Sequence, residues 1–280
     1  MSNDTYAVLG NPVAHSRSPA IHALFARQTG QALEYGRVLC ALDGFASTVH
    51  EFAAQGGRGC NVTVPFKFEA PGLAAFCTDR ARLAGAANVL RLDPGGWWAD
   101  NTDGIGLVRD IEHGAGVALA GRRVLLIGAG GGAAGVLGPL LAARPSRVVV
   151  ANRTRAKAQA LVERHAAVAH GCGAELVASA LDDAGTAFDV VLNASASSMQ
   201  GAAAPVPSKV LAAGALALDL MYGPAAEGFM RWAREAGARP RDGLGMLVEQ
   251  AAEAFFFWRG VRPATAPVLA ALRAEHSASA

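Results

Sequence analysis

The sequence lacks an excess of charge of either sign. Lys and Arg together number 25 against 23 Asp and Glu, for a formal net charge of +2. That balance excludes a nucleic-acid or polyanion binder driven by bulk charge. Cysteine is scarce and unpatterned: Cys40, Cys60, Cys77 and Cys172 contain no C-x-x-C pair. No metal site and no dithiol motif is therefore indicated, and the thiols read as buried and reduced in a cytoplasmic protein. No apolar run approaches the roughly 18 residues that would suggest a membrane span. The segment Ala212 to Tyr222 is apolar but short, and reads as a buried strand with its approach. The first residues, MSNDTYAVLG, carry no basic stretch followed by an apolar core, so no signal peptide is expected. Charged residues are only 17% and hydrophobic ones 52%, which excludes a disordered chain and leaves material for a large core.

Glycine is what the chain has in abundance, at 33 of 280 residues and without the period of collagen. The length suggests about two domains, and one large α/β domain would also fit it. In the first hundred residues strand and helix signals alternate. Strands are expected at Tyr6 to Leu9, Tyr35 to Ala41 and Cys60 to Val64, the last ended by Pro65. Ser18 is the N-cap candidate of a helix whose first turn accepts Pro19. Phe45, Val49, Phe52 and Ala53 have helical spacing. Asn88 to Leu92, Pro94-Gly95-Gly96 and Trp97 to Ala99 read as a hairpin. Further on, apolar runs at Arg123 to Ile127, Arg147 to Ala151, Phe188 to Leu192 and Ala215 to Leu220 show no alternation and are linked by helical stretches. That pattern indicates an α/β fold with a parallel sheet covered on both faces. A late helix is expected from about Gly245 to Trp258, and the tail His276 to Ala280 reads as frayed.

The densest glycine run, Gly128-Ala129-Gly130-Gly131-Gly132-Ala133-Ala134-Gly135, follows the strand ending at Ile127 and opens a helix. Gly128, Gly130 and Ala133 fit the G-x-G-x-x-[GA] fingerprint. A tight turn, then bare backbone, then a helix N-terminus is what a dinucleotide pyrophosphate needs. An NAD enzyme would place Asp or Glu at the end of the next strand to bind the ribose 2′-hydroxyl. This chain has Asn152, Arg153, Thr154, Arg155 and Lys157 there. Cations and hydroxyls suit a 2′-phosphate that a carboxylate would repel, so the expected cofactor is NADP.

Three further segments concentrate polar residues beside expected strand ends: Asn11 to Pro19, Asn61 to Lys67, and Gly85 to Asn88 with Asp100 to Gly104. Polar residues at strand ends in α/β folds commonly line a ligand crevice. Here a resemblance is specific. The segments GNPVAHSRSPAIH, NVTVPFK, AGAANV, DNTDG, IGAGGGAAG, NRT and DGLGMLVEQAA, spanning residues 10 to 252, resemble the shikimate dehydrogenase family in the same order.

The resemblance implies NADPH-dependent, reversible reduction of 3-dehydroshikimate to shikimate in aromatic amino-acid biosynthesis. It also implies two α/β domains with the active site in the cleft between them. Residues 1–103 with 244–280 would form the substrate domain, and residues 104–243 a Rossmann-like NADP domain. Lys67 and Asp103 are implied to be catalytic. An ammonium beside a carboxylate can polarise a ketone and donate its proton, although the sequence does not divide the roles. Ser16 and Ser18 would meet the substrate carboxylate. Thr63, Asn88 and Asp103, with Tyr222 and Gln250, would contact the rest of the ring. On the cofactor side the matched positions are Gly128 to Ala133, Asn152, Arg153, Thr154 and Lys157. Asn193, Leu220 and Gly243 match the nicotinamide side, and Asp79 matches a further cofactor-associated position. His15 reads as a loop residue beside the site. Family members often carry Asn-Ala-Thr-Ser where this chain has Asn193-Ala194-Ser195-Ala196, and Lys157 stands in place of a frequent arginine. A quinate-using relative and a noncatalytic NADP-responsive module are the alternatives; the basic cluster argues against NAD, and Ser16 with Ser18 favours shikimate. The expected partner is a small molecule, with no nucleic acid and no membrane, in a monomer or homodimer.

Overall fold

The computed structural model describes residues 3–195, 197 and 203–278. In chain order the first elements are β1 (Asp4–Gly10), α1 (Ser18–Thr29), β2 (Leu33–Leu39), α2 (Phe45–Ala54), β3 (Gly57–Val62), β4 (Phe76–Cys77), α3 (Asp79–Ala84), β5 (Val89–Arg91), β6 (Trp98–Asp100) and α4 (Asp103–Arg109). There follow β7 (Arg123–Ile127), α5 (Gly131–Ala142), β8 (Arg147–Ala151), α6 (Arg155–Cys172), β9 (Glu175–Ser179), β10 (Phe188–Asn193), β11 (Leu211–Asp219), α7 (Glu227–Glu235) and β12 (Arg239–Arg241). The helices α8 (Leu244–Arg259) and α9 (Ala266–Ala278) close the chain. Two compact units result, residues 1–106 with 248–280, and residues 107–247.

The first unit holds a mixed six-stranded sheet in the order β2-β1-β3-β5-β6-β4. Strand β1 runs parallel to β2 and β3, while β5 is antiparallel to β3 and to β6. The hairpin pairs Leu90 with Ala99. Its core gathers Leu9, Phe45, Val49, Val62, Phe66 and Leu90. The Phe45 and Phe66 rings stack at 4.7 Å, which anchors the backbone immediately before Lys67.

In the second unit every strand pairing is parallel, in the order β12-β11-β10-β7-β8-β9. The apolar runs Val124 to Ile127, Val148 to Ala151 and Val190 to Leu192 in β7, β8 and β10 are buried on both faces, as a parallel sheet covered by helices requires. Strand order reverses between β7 and β10, the switch point outside which α/β sheets bind ligands at the strands' carboxyl ends. The fold is therefore two-domain and Rossmann-like.

Some local expectations differ. Arg17, not Ser18, stands at the N-cap of α1, and no side chain caps it; Ser18 is already helical. The Ser18 amide instead donates to Ser16 Oγ at 3.3 Å. Arg239-Pro240-Arg241, which carries no strand signal, forms β12. It lies at the sheet edge, where proline's missing N–H can face outward without breaking a ladder. Helix α9 reaches Ala278; the last two residues of the tail, and Ala196, lie outside the described residues. Among the described residues no helix is long and apolar enough to cross a membrane.

Candidate active site

In the first unit, Lys67 follows the buried Phe66 in a short turn beyond β3. Its Nζ donates to Asp103 Oδ2 at 2.6 Å, and Asp103 is almost wholly buried at the start of α4. Asp103 Oδ1 accepts from Asn88 Nδ2 at 2.9 Å. The same Nδ2 lies 3.0 Å from both Thr102 Oγ1 and Gln250 Oε1, the latter on α8. Three acceptors thus compete for two amide protons, so the cluster has spare accepting capacity for hydroxyl donors. Asn88 itself is fixed twice: its Oδ1 accepts from the Thr102 amide at 2.8 Å, and its own amide donates to Asp100 O at 3.1 Å.

Ser16 and Ser18 meet through their hydroxyls at 3.2 Å. Arg37 donates to the Ser16 carbonyl from Nε at 3.1 Å and Nη2 at 2.7 Å, holding that loop against β2. From this loop a chain of contacts leads inward. Ser18 reaches Tyr35, whose hydroxyl donates to Asn61 Oδ1 at 2.6 Å; Asn61 Nδ2 donates to Asn88 O at 3.2 Å. Burial holds the Tyr35 hydroxyl well above the usual tyrosine range. Thr63 sits just past β3, packed so closely on Gly10 that a Cβ there would collide with its methyl group. His15 is exposed.

The loop carrying Asp103 is held from behind. Asp100, fully buried, accepts from Thr78 Oγ1 at 2.6 Å, from Arg80 Nε at 3.1 Å and from the Asn101 amide at 2.7 Å. Arg80 also donates to Glu253 at 3.2 Å, one helical turn beyond Gln250. Arg80 therefore joins the two segments that supply Asp103 and Gln250.

The second unit presents a different surface. Gly128 leaves β7 with φ of +108°, and a Cβ there would stand 2.9 Å from the Ala194 backbone, so only glycine fits. Gly130 is the N-cap of α5, and a Cβ on it would meet nothing within 4 Å. Ala129, and Gly131, Gly132 and Ala133 in the first turn of α5, thus offer bare backbone at a helix N-terminus. At the end of β8, Asn152 Nδ2 donates to Thr154 O at 2.9 Å, setting the turn that leads into α6. Arg153, Thr154 and Lys157 are exposed there. A cavity of about 430 Å³ lies beside them, lined by Arg153, Leu181, Asp182 and Val206. A larger cavity, in the first unit, lies at the start of β1 and β3 and includes none of the candidate residues.

Asn193 closes β10. Its Nδ2 donates to Asp219 Oδ2 at 3.0 Å, and its carbonyl accepts from the Leu220 amide at 2.9 Å. The Gly243 amide donates to Met221 O at 2.8 Å, and a Cβ on Gly243 would run into the Leu220 carbonyl. A Cβ on Gly132 would stand 3.6 Å from the Leu220 side chain. The glycine loop, Leu220 and Gly243 are therefore neighbours within one unit.

Family models match on both sides. The shikimate dehydrogenase substrate binding domain matches residues 8–90, the shikimate / quinate 5-dehydrogenase model residues 111–202, and the shikimate 5′-dehydrogenase C-terminal domain residues 243–273. A shikimate dehydrogenase (NADP(+)) of Methylibium petroleiphilum is 64% identical, covering 98% of this chain and 95% of its own length. The chain belongs to the shikimate dehydrogenase family. Among solved structures, an Ael1 enzyme from Pseudomonas putida is 48% identical with a TM-score of 0.86, covering 96% of this chain and 98% of that one. A shikimate 5-dehydrogenase from Thermus thermophilus, solved with NADP(H) and shikimate, is 30% identical with a TM-score of 0.81, again over 96% and 98% of the two chains.

Set against the family pattern, Lys67, Asp103, Asn88 and Gln250 come together in one hydrogen-bonded cluster. Two positions stand apart from their groups. Asp79 belongs to the first unit, fully exposed and paired with Arg82, whereas the other cofactor candidates lie in the second. Tyr222 precedes the turn Gly223–Ala226 after β11, in the second unit. Tyr35, Arg37 and Arg80 had no signal in the sequence beyond their residue type, because their partners come from other elements. Asn61 lies inside the polar NVTVPFK segment, and its place there is the one sequence hint of its part in the cluster.

Proposed function

We propose that this protein is an NADP-dependent oxidoreductase that reversibly reduces 3-dehydroshikimate to shikimate, in the shikimate pathway of aromatic amino-acid biosynthesis. The observation that carries this reading is the 2.6 Å Lys67–Asp103 pair embedded in the Asn88–Gln250 cluster. The residues present fit NADP. Bare backbone at the start of α5 suits a pyrophosphate, and the Asn152-Arg153-Thr154 turn with Lys157 suits a 2′-phosphate, with no carboxylate in that turn to repel it. NADPH, when bound, supplies the hydride.

The remaining chemistry belongs to side chains. Reduction adds a hydride to the carbonyl carbon and a proton to its oxygen. Lys67 Nζ donates that proton, and Asp103 fixes Nζ in direction; in oxidation Lys67 takes the proton back. Ser16 and Ser18 hold the carboxylate, and Thr63, Asn88, Asp103 and Gln250 read the ring hydroxyls. Asn193, Leu220 and Gly243 would meet the nicotinamide. For Asp79 and Tyr222 the family pattern alone supports a role. Residues 1–103 with 244–280 would serve as the substrate domain and residues 104–243 as the cofactor domain. Four free thiols are compatible with a cytoplasmic enzyme, acting on a small molecule as monomer or homodimer, with no nucleic-acid partner.

The test is a kinetic matrix of shikimate and quinate against NADP and NAD. The largest kcat/KM is expected for shikimate with NADP. No turnover of that pair at any pH where the protein stays folded would sink the proposal. A preference for quinate would move the assignment to the related ring acid.

A further inference from the structure

The second unit holds an ion pair, with a buried carboxylate and a part-buried guanidinium, that has no part in the proposed chemistry. Asp110 opens the π-helical turn Asp110–Gly114 after α4 and is 2% exposed. Arg241, on the edge strand β12, donates from Nε to Asp110 Oδ2 at 2.8 Å and from Nη2 to Oδ1. This is a two-pronged guanidinium–carboxylate contact, the geometry that fixes direction as well as distance. Two glycines make room for it. A Cβ on Gly114 would stand 2.6 Å from the Asp110 carboxylate and would also strike Arg241, and one on Gly245 would run into the same carboxylate. Arg239 adds a second tie, donating to Ala115 O at 3.0 Å.

The strand these contacts hold is weak by itself. β12 has three residues, one of them proline, and pairs on one side only. It leads directly into Gly243. On its other side Gly243 is pinned to the end of β11 by its amide bond to Met221 O, with no space for a side chain against the Leu220 carbonyl. Gly243 is thus gripped between the β11 end and a segment anchored by the Asp110–Arg241 pair.

We infer that Asp110 and Arg241 are positioning residues for the nicotinamide end of the cofactor: the pair sets Gly243, and through it the Leu220–Met221 backbone, at the height from which they meet the nicotinamide. The inference rests on the reading of Gly243 and Leu220 given above. It deepens that reading by naming what holds them. Both would act through the backbone they hold, without touching substrate or cofactor.

The discriminating probe is 2′,5′-ADP, which carries the adenosine 2′-phosphate end of NADPH and has no nicotinamide. Asp110→Asn keeps the shape and turns an amide N–H toward the guanidinium. Arg241→Lys keeps the charge and loses the fork, and carries the same test if Asp110→Asn does not fold. Both ligands are titrated calorimetrically against wild type and variants. NADPH affinity and kcat are expected to fall about tenfold, while 2′,5′-ADP affinity stays within about twofold. Retained 2′,5′-ADP binding also reports an intact unit, and KM for shikimate should not move. Parallel loss of both ligands, or no loss of either, overturns the inference. A wild-type protein that binds neither ligand overturns the functional reading itself, a different result from a wild type that binds both and variants that behave like it.

Discussion

In the first unit, Asn88, Thr102, Asp103 and Gln250 are buried side chains that hold one another in a network; the candidate residues of the second are mostly backbone and exposed cations. Asn88, Thr102 and Asp103 are each under 5% exposed, and each has a partner within the cluster. Arg153, Thr154 and Lys157 lie in solvent on a turn set by one asparagine. On the proposed function, the difference follows from what each half would have to recognise. A ring with several hydroxyls must be told from its isomers. Buried, directional groups do this because a wrong partner leaves one of them unpaired. A dinucleotide's phosphates ask only for N–H donors and positive charge, which a helix N-terminus and a basic turn supply at little cost in precision.

Four substitutions test this contrast, beginning with the largest effect. Lys67→Ala removes the proposed proton carrier and should lower kcat by about 10²–10⁴-fold while leaving the NADPH dissociation constant unchanged. Equal loss of both would show that the two halves are not separable. Gly128→Ala forces a side chain into a left-handed backbone and against Ala194, costing about 2 kcal/mol or more. Weaker NADPH binding and a lower melting temperature are expected together; unchanged values for both would mean the loop relaxes freely. Arg153→Ala removes one charge-assisted contact and should raise KM for NADP about tenfold, with KM for NAD unchanged. A matching rise for NAD would place Arg153 on some part of the cofactor other than the 2′-phosphate.

The last substitution is read below neutral pH. His22 is fully buried, stacked on Tyr35 with ring centroids 4.2 Å apart. Burial pushes its pKa down to about 3, with Asn61 pulling the other way. The unfolded chain therefore takes up this proton at a higher pH than the folded one. Stability from this group is flat above about pH 6.5 and falls as pH drops toward 3, by up to about 1.4 kcal/mol per pH unit. His22→Phe keeps the stack and cannot titrate, so urea unfolding should show a shallower acid limb below about pH 6.5. An unchanged slope would assign that limb to other groups, such as the Asp4 carboxylate, which Arg259 holds below the usual range.

Legibility in the sequence divides along the same line. The proposed cofactor half is legible directly because its residues are neighbours in the chain. Gly128 to Ala133 form one loop and helix start, Asn152 to Lys157 another, and each follows an apolar run that reads as a buried parallel strand. The shape of the β7–α5 junction follows from local sterics, since glycine is needed where φ is positive. The substrate half was legible as a set of polar segments at strand ends, and its roles came from family resemblance rather than from spacing.

By itself, the sequence determined the fold class, the glycine loop and the preference for a phosphate over a free ribose hydroxyl. Each of these depends on residues within a few positions of one another. Only the tertiary structure decided which distant side chains meet. Lys67 and Asp103 are 36 positions apart, Asp110 and Arg241 131, and Asn88 and Gln250 162. A hydrogen bond reaches about 3 Å, so such pairs exist only once strand order and helix packing have fixed both backbones. Local propensity carries no information about that closure. For this reason Tyr35, Arg80 and the Asp110–Arg241 pair, which hold the candidate residues in place, became visible only in the folded chain.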